Sequence, residues 1–233
     1  MSFNVAIDGP AGAGKSTIAK AVAKKLNLIY VDTGAMYRAM ALYMLREQVP
    51  LLDTERIIEK CSQADITIRY ENGIQVVQLN GENVNEFLRT EEVGKAASVI
   101  SPIPEVRRKL VELQKTLAAH TDCIMDGRDI GTCVLPNAGL KIFLTASSEV
   151  RARRRYDELA AKGMEEDLQK IKADIEERDY RDMHREQSPL KQAEDAVLVD
   201  TSHMSADEVI SIISQMCENG MQAFHGIKTF REI

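Results

Sequence analysis

Two stretches of the chain carry residue types at a spacing that suits phosphate chemistry. The first is Gly9-Pro10-Ala11-Gly12-Ala13-Gly14-Lys15-Ser16-Thr17, set between an apolar run over 3–7 and a helical run over 16–26. The spacing G-x-x-x-x-G-K-S lets small residues wrap backbone N–H groups round a polyphosphate. It also sends Lys15 toward the β and γ phosphates and offers Mg²⁺ the Ser16 hydroxyl. The helix that follows points the positive end of its dipole to the same place. The second stretch is Asp126-Gly127-Arg128-Asp129-Ile130-Gly131-Thr132, which closes the short apolar run 123–125. An acid at a strand's carboxyl end in a phosphate-loop protein commonly orients Mg²⁺ and its waters, which makes Asp126 the candidate for that role.

A second set of charges is made of arginines. Arg38, with Tyr37, falls in the first turn of a predicted helix over 35–47 that Asp32 or Thr33 can cap, at a strand end where open α/β sheets bind ligands. Arg151, Arg153, Arg154 and Arg155 put four like charges into five positions, a crowding that an anion such as the ATP phosphates relieves. Arg178, Asp182 and Arg185 are spaced i, i+4 and i+7 on a predicted helix over about 165–186, so they share a face fit for a phosphate and a sugar hydroxyl. Arg181, Glu176, Glu177 and Asp179 read instead as surface pairs worth only about 0.3–0.5 kcal/mol each. Ser98 and Arg107 lie at or near a helix break at Pro102 and Pro104, and by sequence alone are ordinary surface residues.

The elements that must position these groups alternate. Short apolar runs at 4–7, 28–31, 123–125, 141–145 and 196–199 are separated by helical segments, the pattern of a five-stranded parallel sheet in an α/β protein. Residues 66–70 and 74–79 flank Glu71-Asn72-Gly73 as a β-hairpin and interrupt the alternation, so roughly 60–90 is an inserted module of the kind that closes over a substrate. Lys162-Gly163 ends the arginine-bearing helix and predicts a short flap. Ser205 caps a last helix that runs through Cys217, with Gly220 following it.

With 233 residues the chain can build one α/β domain with a small insertion. A net charge of −6, with no basic stretch carrying stacking aromatics, argues against a nucleic-acid partner. Cys61, Cys123, Cys133 and Cys217 form no C-x-x-C pair, no signal-peptide pattern opens the chain, and no apolar run suffices for a bilayer; a cytoplasmic protein is the expectation. Mg²⁺ arriving with a nucleotide is the metal to expect, since no His/Cys cluster suggests zinc.

A phosphate loop facing a separate arginine set implies two phosphorylated ligands and phosphoryl transfer between them. The motifs Gly9-Pro-Ala-Gly-Ala-Gly-Lys-Ser16, Asp32-Thr-Gly-Ala-Met-Tyr-Arg38, Asp126-Gly-Arg-Asp-Ile-Gly-Thr132 and Glu177-Arg-Asp-Tyr-Arg-Asp-Met-His-Arg185, in this order, resemble those of the bacterial cytidylate kinases over nearly the whole chain. The resemblance implies a three-layer P-loop NTPase fold over 1–233. Within it, 1–32 and 90–233 would form the core, 33–89 the NMP-binding region with a small antiparallel sheet, and about 153–166 a lid. It further implies ATP-dependent phosphorylation of CMP and dCMP by a monomer. By motif position, residues 9–17 and Arg155 would bind ATP; Ser98, Arg107 and Asp129 would read cytosine; and Arg38, Arg128 and Arg185 would hold the acceptor phosphate. Asp182 with Arg178 would contact the sugar, and Thr33 and Tyr37 would line the pocket. Lys15, Arg128, Arg154, Arg178 and Arg185 would serve the transfer itself. The competing expectations are another small-molecule P-loop kinase and a nucleotide-dependent switch. The second is disfavoured because no N-K-x-D segment is present to read guanine.

Overall fold

The computed structural model describes residues 2–231, with side chains as far as Phe224. In chain order the elements are β1 (Asn4–Asp8), α1 (Lys15–Leu26), β2 (Ile29–Asp32), α2 (Thr33–Arg46), α3 (Thr54–Gln63), β3 (Ile66–Glu71), β4 (Ile74–Leu79) and β5 (Glu82–Asn83). They continue with α4 (Glu91–Ile100), α5 (Pro104–His120), β6 (Cys123–Gly127), β7 (Leu140–Thr145), α6 (Ser148–Ala161), α7 (Leu168–His184), β8 (Val197–Asp200) and α8 (Ala206–Arg231).

Five strands form one sheet in the order β2-β6-β1-β7-β8. The pairs β1–β6, β1–β7 and β7–β8 are parallel, as strands separated by helices must be. The central strand β1 is buried from Val5 to Asp8, which is why 3–7 reads as an unbroken apolar run rather than an alternation. β3, β4 and β5 make a separate antiparallel sheet. It has one strand more than the expected hairpin, because Asn80 and Gly81 both take positive φ and turn the chain back into Glu82–Asn83.

The chain folds as two compact units, Met1–Ile29 with Thr121–Ile233, and Tyr30–His120. α4 and α5, which the sequence reading assigns to the core with 90–233, lie in the second unit, where α4 packs on α2 and α5 on α2 and α3. In the first unit α6 and α7 form a hairpin with a small core of its own, made of Ala152, Leu159, Ile171 and Ile175. α6 ends at Ala161 with Lys162 as cap and Gly163 at positive φ, the stop expected from Lys162-Gly163.

The last helix corrects an expectation. Gly220 does not end it: α8 continues to Arg231. Gly220 is there for proximity, since a Cβ on it would come within 3.0 Å of the Phe3 ring. Phe3, fully buried, then meets Phe224 edge-to-face with ring centroids 5.7 Å apart.

Candidate active site

The phosphate loop joins β1 to α1 in the first unit. Gly9 is demanded by the neighbouring backbone, because a Cβ there would stand 1.9 Å from the Leu144 carbonyl oxygen. Gly14 takes φ +86 as the residue before α1 and offers no side-chain cap, which leaves the first N–H groups of that helix to a ligand. Lys15 is buried, and its Nζ donates to the Pro10 carbonyl at 2.7 Å. Ser16 Oγ donates to Asp126 Oδ2 at 2.8 Å. Two hard oxygens side by side at the loop's edge are the donor set Mg²⁺ prefers, and they fit that ion. Among the described residues no group of three or more His, Cys, Asp or Glu could hold a metal by itself.

The second motif follows β6. β1 and β6 run in register with Ile7 opposite Asp126 and Asp8 opposite Gly127, so the sheet itself delivers Asp126 to the loop. A turn of π-helix over Ile130–Val134 comes next, and the N–H groups of Ile130 and Gly131 donate to the two carboxylate oxygens of Asp8 at 2.8 and 2.7 Å. Asp8 escaped the sequence reading. Its one signal was an acid directly before Gly9.

α7 brings its charges to this turn. Arg128 Nε donates to Asp182 Oδ2 at 2.9 Å. Burial alone would raise the Asp182 carboxyl, but Arg128, with Arg178 and Arg185, outweighs it and holds the group below its ordinary value. Arg185 is not on the face of α7, because the helix stops at His184 and Arg185 is its cap. From there it donates to the Ser188 carbonyl at 2.8 Å and pairs with Asp129 at 3.5 Å, both side chains being buried. Lys15 feels the result. Burial and the Arg128 guanidinium, with a smaller push from Arg178, hold its ammonium well below the usual lysine value against the pull of Asp126 and Asp8.

The arginines of α6 divide. Arg151 is buried and donates to the Ala146 and Ala11 carbonyls at 2.9 and 2.8 Å. Arg154 donates to Thr201 Oγ1 and to its carbonyl at 3.1 and 2.8 Å, while Arg155 pairs with Glu158 on the surface at 3.0 Å. Arg153 lies over the Tyr156 ring, 5.7 Å from its centroid. Asp179 corrects the surface-pair reading: it is buried and pairs with Arg151 at 2.6 Å. Helical spacing placed it among exposed acids, and only the packing of α7 on α6 turns it inward.

The second unit carries the remaining candidates. Asp32 caps α2 through the Ala35 N–H at 2.9 Å and accepts from Arg38 Nη2 at 3.0 Å, with Thr33 buried beside it. Gln75 of β4 accepts from the Asp32 N–H at 2.8 Å and donates to the Asp32 carbonyl at 3.2 Å, so the small sheet is fastened to the start of α2. Nothing in the sequence singled out Gln75. Arg38 Nε is buried with no hydrogen-bond partner among the described residues, a donor suited to an anionic ligand. Arg107 is buried rather than on the surface, with its guanidinium 5.8 Å from the centroid of Tyr37. Ser98 is half-buried on α4. A cavity of about 350 Å³ in this unit, bordered by residues 62–66, contains none of the candidates, and its Lys109 ammonium is occupied by the Cys61, Ser62 and Ala64 carbonyls.

The cytidylate kinase family model matches residues 5–219. A cytidylate kinase of Leuconostoc mesenteroides is 50% identical over 220 residues, which is 94% of this chain and 98% of the relative. One of Caldicellulosiruptor saccharolyticus is 50% identical over 214 residues, 92% of this chain and 95% of the relative. With a phosphate loop, a strand-end acid beside it and a match along almost its full length, the chain belongs to the cytidylate kinase family.

Proposed function

We propose that the protein transfers the γ-phosphoryl group of ATP to the phosphate of CMP or dCMP, giving ADP and CDP or dCDP. The observation that carries this reading is the geometry of the phosphate loop, where the Lys15 ammonium on the Pro10 carbonyl and the Ser16 hydroxyl on Asp126 stand at the uncapped start of α1. A lysine, a pair of hard oxygens and free helix N–H groups at one point suit a triphosphate with its metal.

The phosphate loop would bind the ATP phosphates through its backbone N–H groups and Lys15, with Ser16 and Asp126 holding Mg²⁺, which neutralises phosphate charge when bound. Arg128 and Arg185 would hold the acceptor phosphate, Asp182 with Arg178 the sugar, and Asp129 the cytosine amine. Arg38 would add its buried Nε to the acceptor phosphate, with Ser98 and Arg107 on the base and Thr33 and Tyr37 alongside. Because the acceptor phosphate is already anionic, the protein supplies alignment and charge neutralisation rather than a nucleophile. Arg154 and Arg155 reach Thr201 and Glu158 here, so a role on ATP requires them to leave those partners. The reading is of a cytoplasmic monomer acting on free nucleotides, and the net charge of −6 disfavours nucleic acid as a partner.

ADP release with ATP and Mg²⁺ tests the reading, one acceptor at a time: CMP, dCMP, UMP, AMP, GMP, shikimate and none. Turnover with CMP and dCMP far above the rest is expected. Equal, slow release with every acceptor and with none would instead identify an ATPase or a switch.

A further inference from the structure

The Arg151–Asp179 pair has no part in the steps above, yet both partners are almost out of solvent, with side chains 7% and 10% exposed. An ion pair so buried holds only when further hydrogen bonds satisfy its charges. Those bonds converge on one residue of the phosphate loop. Asp179 Oδ1 accepts from the Ala11 N–H at 3.2 Å, Arg151 Nη1 donates to the Ala11 carbonyl at 2.8 Å, and Arg151 Nε takes the Ala146 carbonyl at 2.9 Å. Both backbone polar groups of Ala11 are thereby held from the base of the α6–α7 hairpin.

The consequence follows from the planarity of the peptide. There are no cis peptides among the described residues, and in a trans peptide the carbonyl and the next N–H point in opposite directions. Holding the Ala11 N–H on Asp179 turns the Pro10 carbonyl the other way, and that carbonyl accepts from Lys15 Nζ at 2.7 Å. Holding the Ala11 carbonyl on Arg151 likewise turns the Gly12 N–H away from Arg151. Two successive peptide planes of the loop are set by one ion pair.

We propose that Arg151 and Asp179 are positioning residues for phosphoryl transfer, orienting the 10–11 and 11–12 peptides and, through the first of them, the Lys15 ammonium. The inference rests on the loop holding the ATP phosphates. It also links α7, which carries Arg178 and Asp182, to the loop that would bind the donor.

The test compares Asp179→Ala, Asp179→Asn and Arg151→Lys, with Lys15→Ala alongside, by steady-state kinetics and by the amide and Nζ resonances of ¹⁵N-labelled protein well below the melting point. Asp179→Ala should lower kcat on the order of 10²-fold, as a misplaced group does, with the loss in kcat rather than in the KM for CMP. Asp179→Asn keeps an oxygen for the Ala11 N–H and should recover most of that loss. Arg151→Lys keeps a buried cation beside Asp179 but has no fork to span Ala146 and Ala11; it should lose about tenfold in kcat and move the Gly12 amide resonance. It also carries the test should Asp179→Ala not fold. A lowered melting temperature with wild-type kcat and an unmoved Gly12 resonance would make the pair a structural staple and overturn the proposal. If Lys15→Ala retains full kcat, the loop is not where ATP acts, and the functional reading falls with the proposal. If only Lys15→Ala is inactive, this inference alone falls.

Discussion

Asp8 receives two backbone N–H groups and still titrates high. Burial pushes its carboxyl up from 3.8 to about 6; the Gly131 and Ile130 N–H groups and Lys15 pull it down, and Asp129 adds to the rise. A carboxyl that holds its proton more tightly in the folded state stabilises the fold where it is protonated. That contribution is present in full below about pH 4 and is lost as the pH rises through about 6, a loss on the order of 3 kcal/mol. Urea denaturation of wild type and Asp8→Asn at pH 4 and pH 7 checks this. The stability difference between them should shift against wild type by about that amount, whereas parallel curves would show that Asp8 does not titrate in this range. At active-site scale the cost is understandable, because the same carboxylate orients the turn that presents Arg128 and Asp129.

Elements are held at more than one point, and α8 is a clear case. It packs on α1 and buries Val209, Ile213 and Cys217, while its later turns meet Phe3, which lies against Gly220 and Phe224 and leaves so little room that a Cβ on Gly139 would stand 2.6 Å from the ring. Phe3→Ala should therefore cost about 3–5 kcal/mol in urea denaturation and speed amide exchange over residues 218–224. A loss below about 1 kcal/mol would mean that the later turns of α8 do not rely on Phe3. α7 works differently. Asp179 and Asp182 sit one turn apart and engage Ala11 and Arg128, so one helix ties the phosphate loop to the second motif.

For the molecule as a whole, the four cysteines report on packing. Cys61, Cys123 and Cys217 are buried and Cys133 is half-buried, all four as free thiols. Burial pushes the Cys123 and Cys217 thiols up to about 12, with Asp122 and Glu218 adding to the effect. Titration with a thiol reagent at pH 8 should find no more than one reactive group, Cys133, in the native protein and four in guanidinium. Two or more fast thiols without denaturant would show that the buried positions open readily. No helix among the described residues is long and apolar enough to cross a membrane.

The residues with chemistry were legible because their demands are local. A phosphate loop needs small residues, a lysine and a hydroxyl at fixed spacing, and the runs around it alternate as parallel strands and helices do, so the sheet and the place of Lys15 and Ser16 between β1 and α1 follow from spacing alone. What the sequence could not express were contacts between distant segments. Asp179 looked like one exposed acid among several until α7 packed on α6; Gln75 had no distinguishing neighbour before β4 met the start of α2; and Gly220 read as a stop until Phe3 occupied the space beside it. Spacing and propensity are properties of neighbouring residues, whereas burial and pairing are settled by which segments meet, and only the tertiary structure decides that.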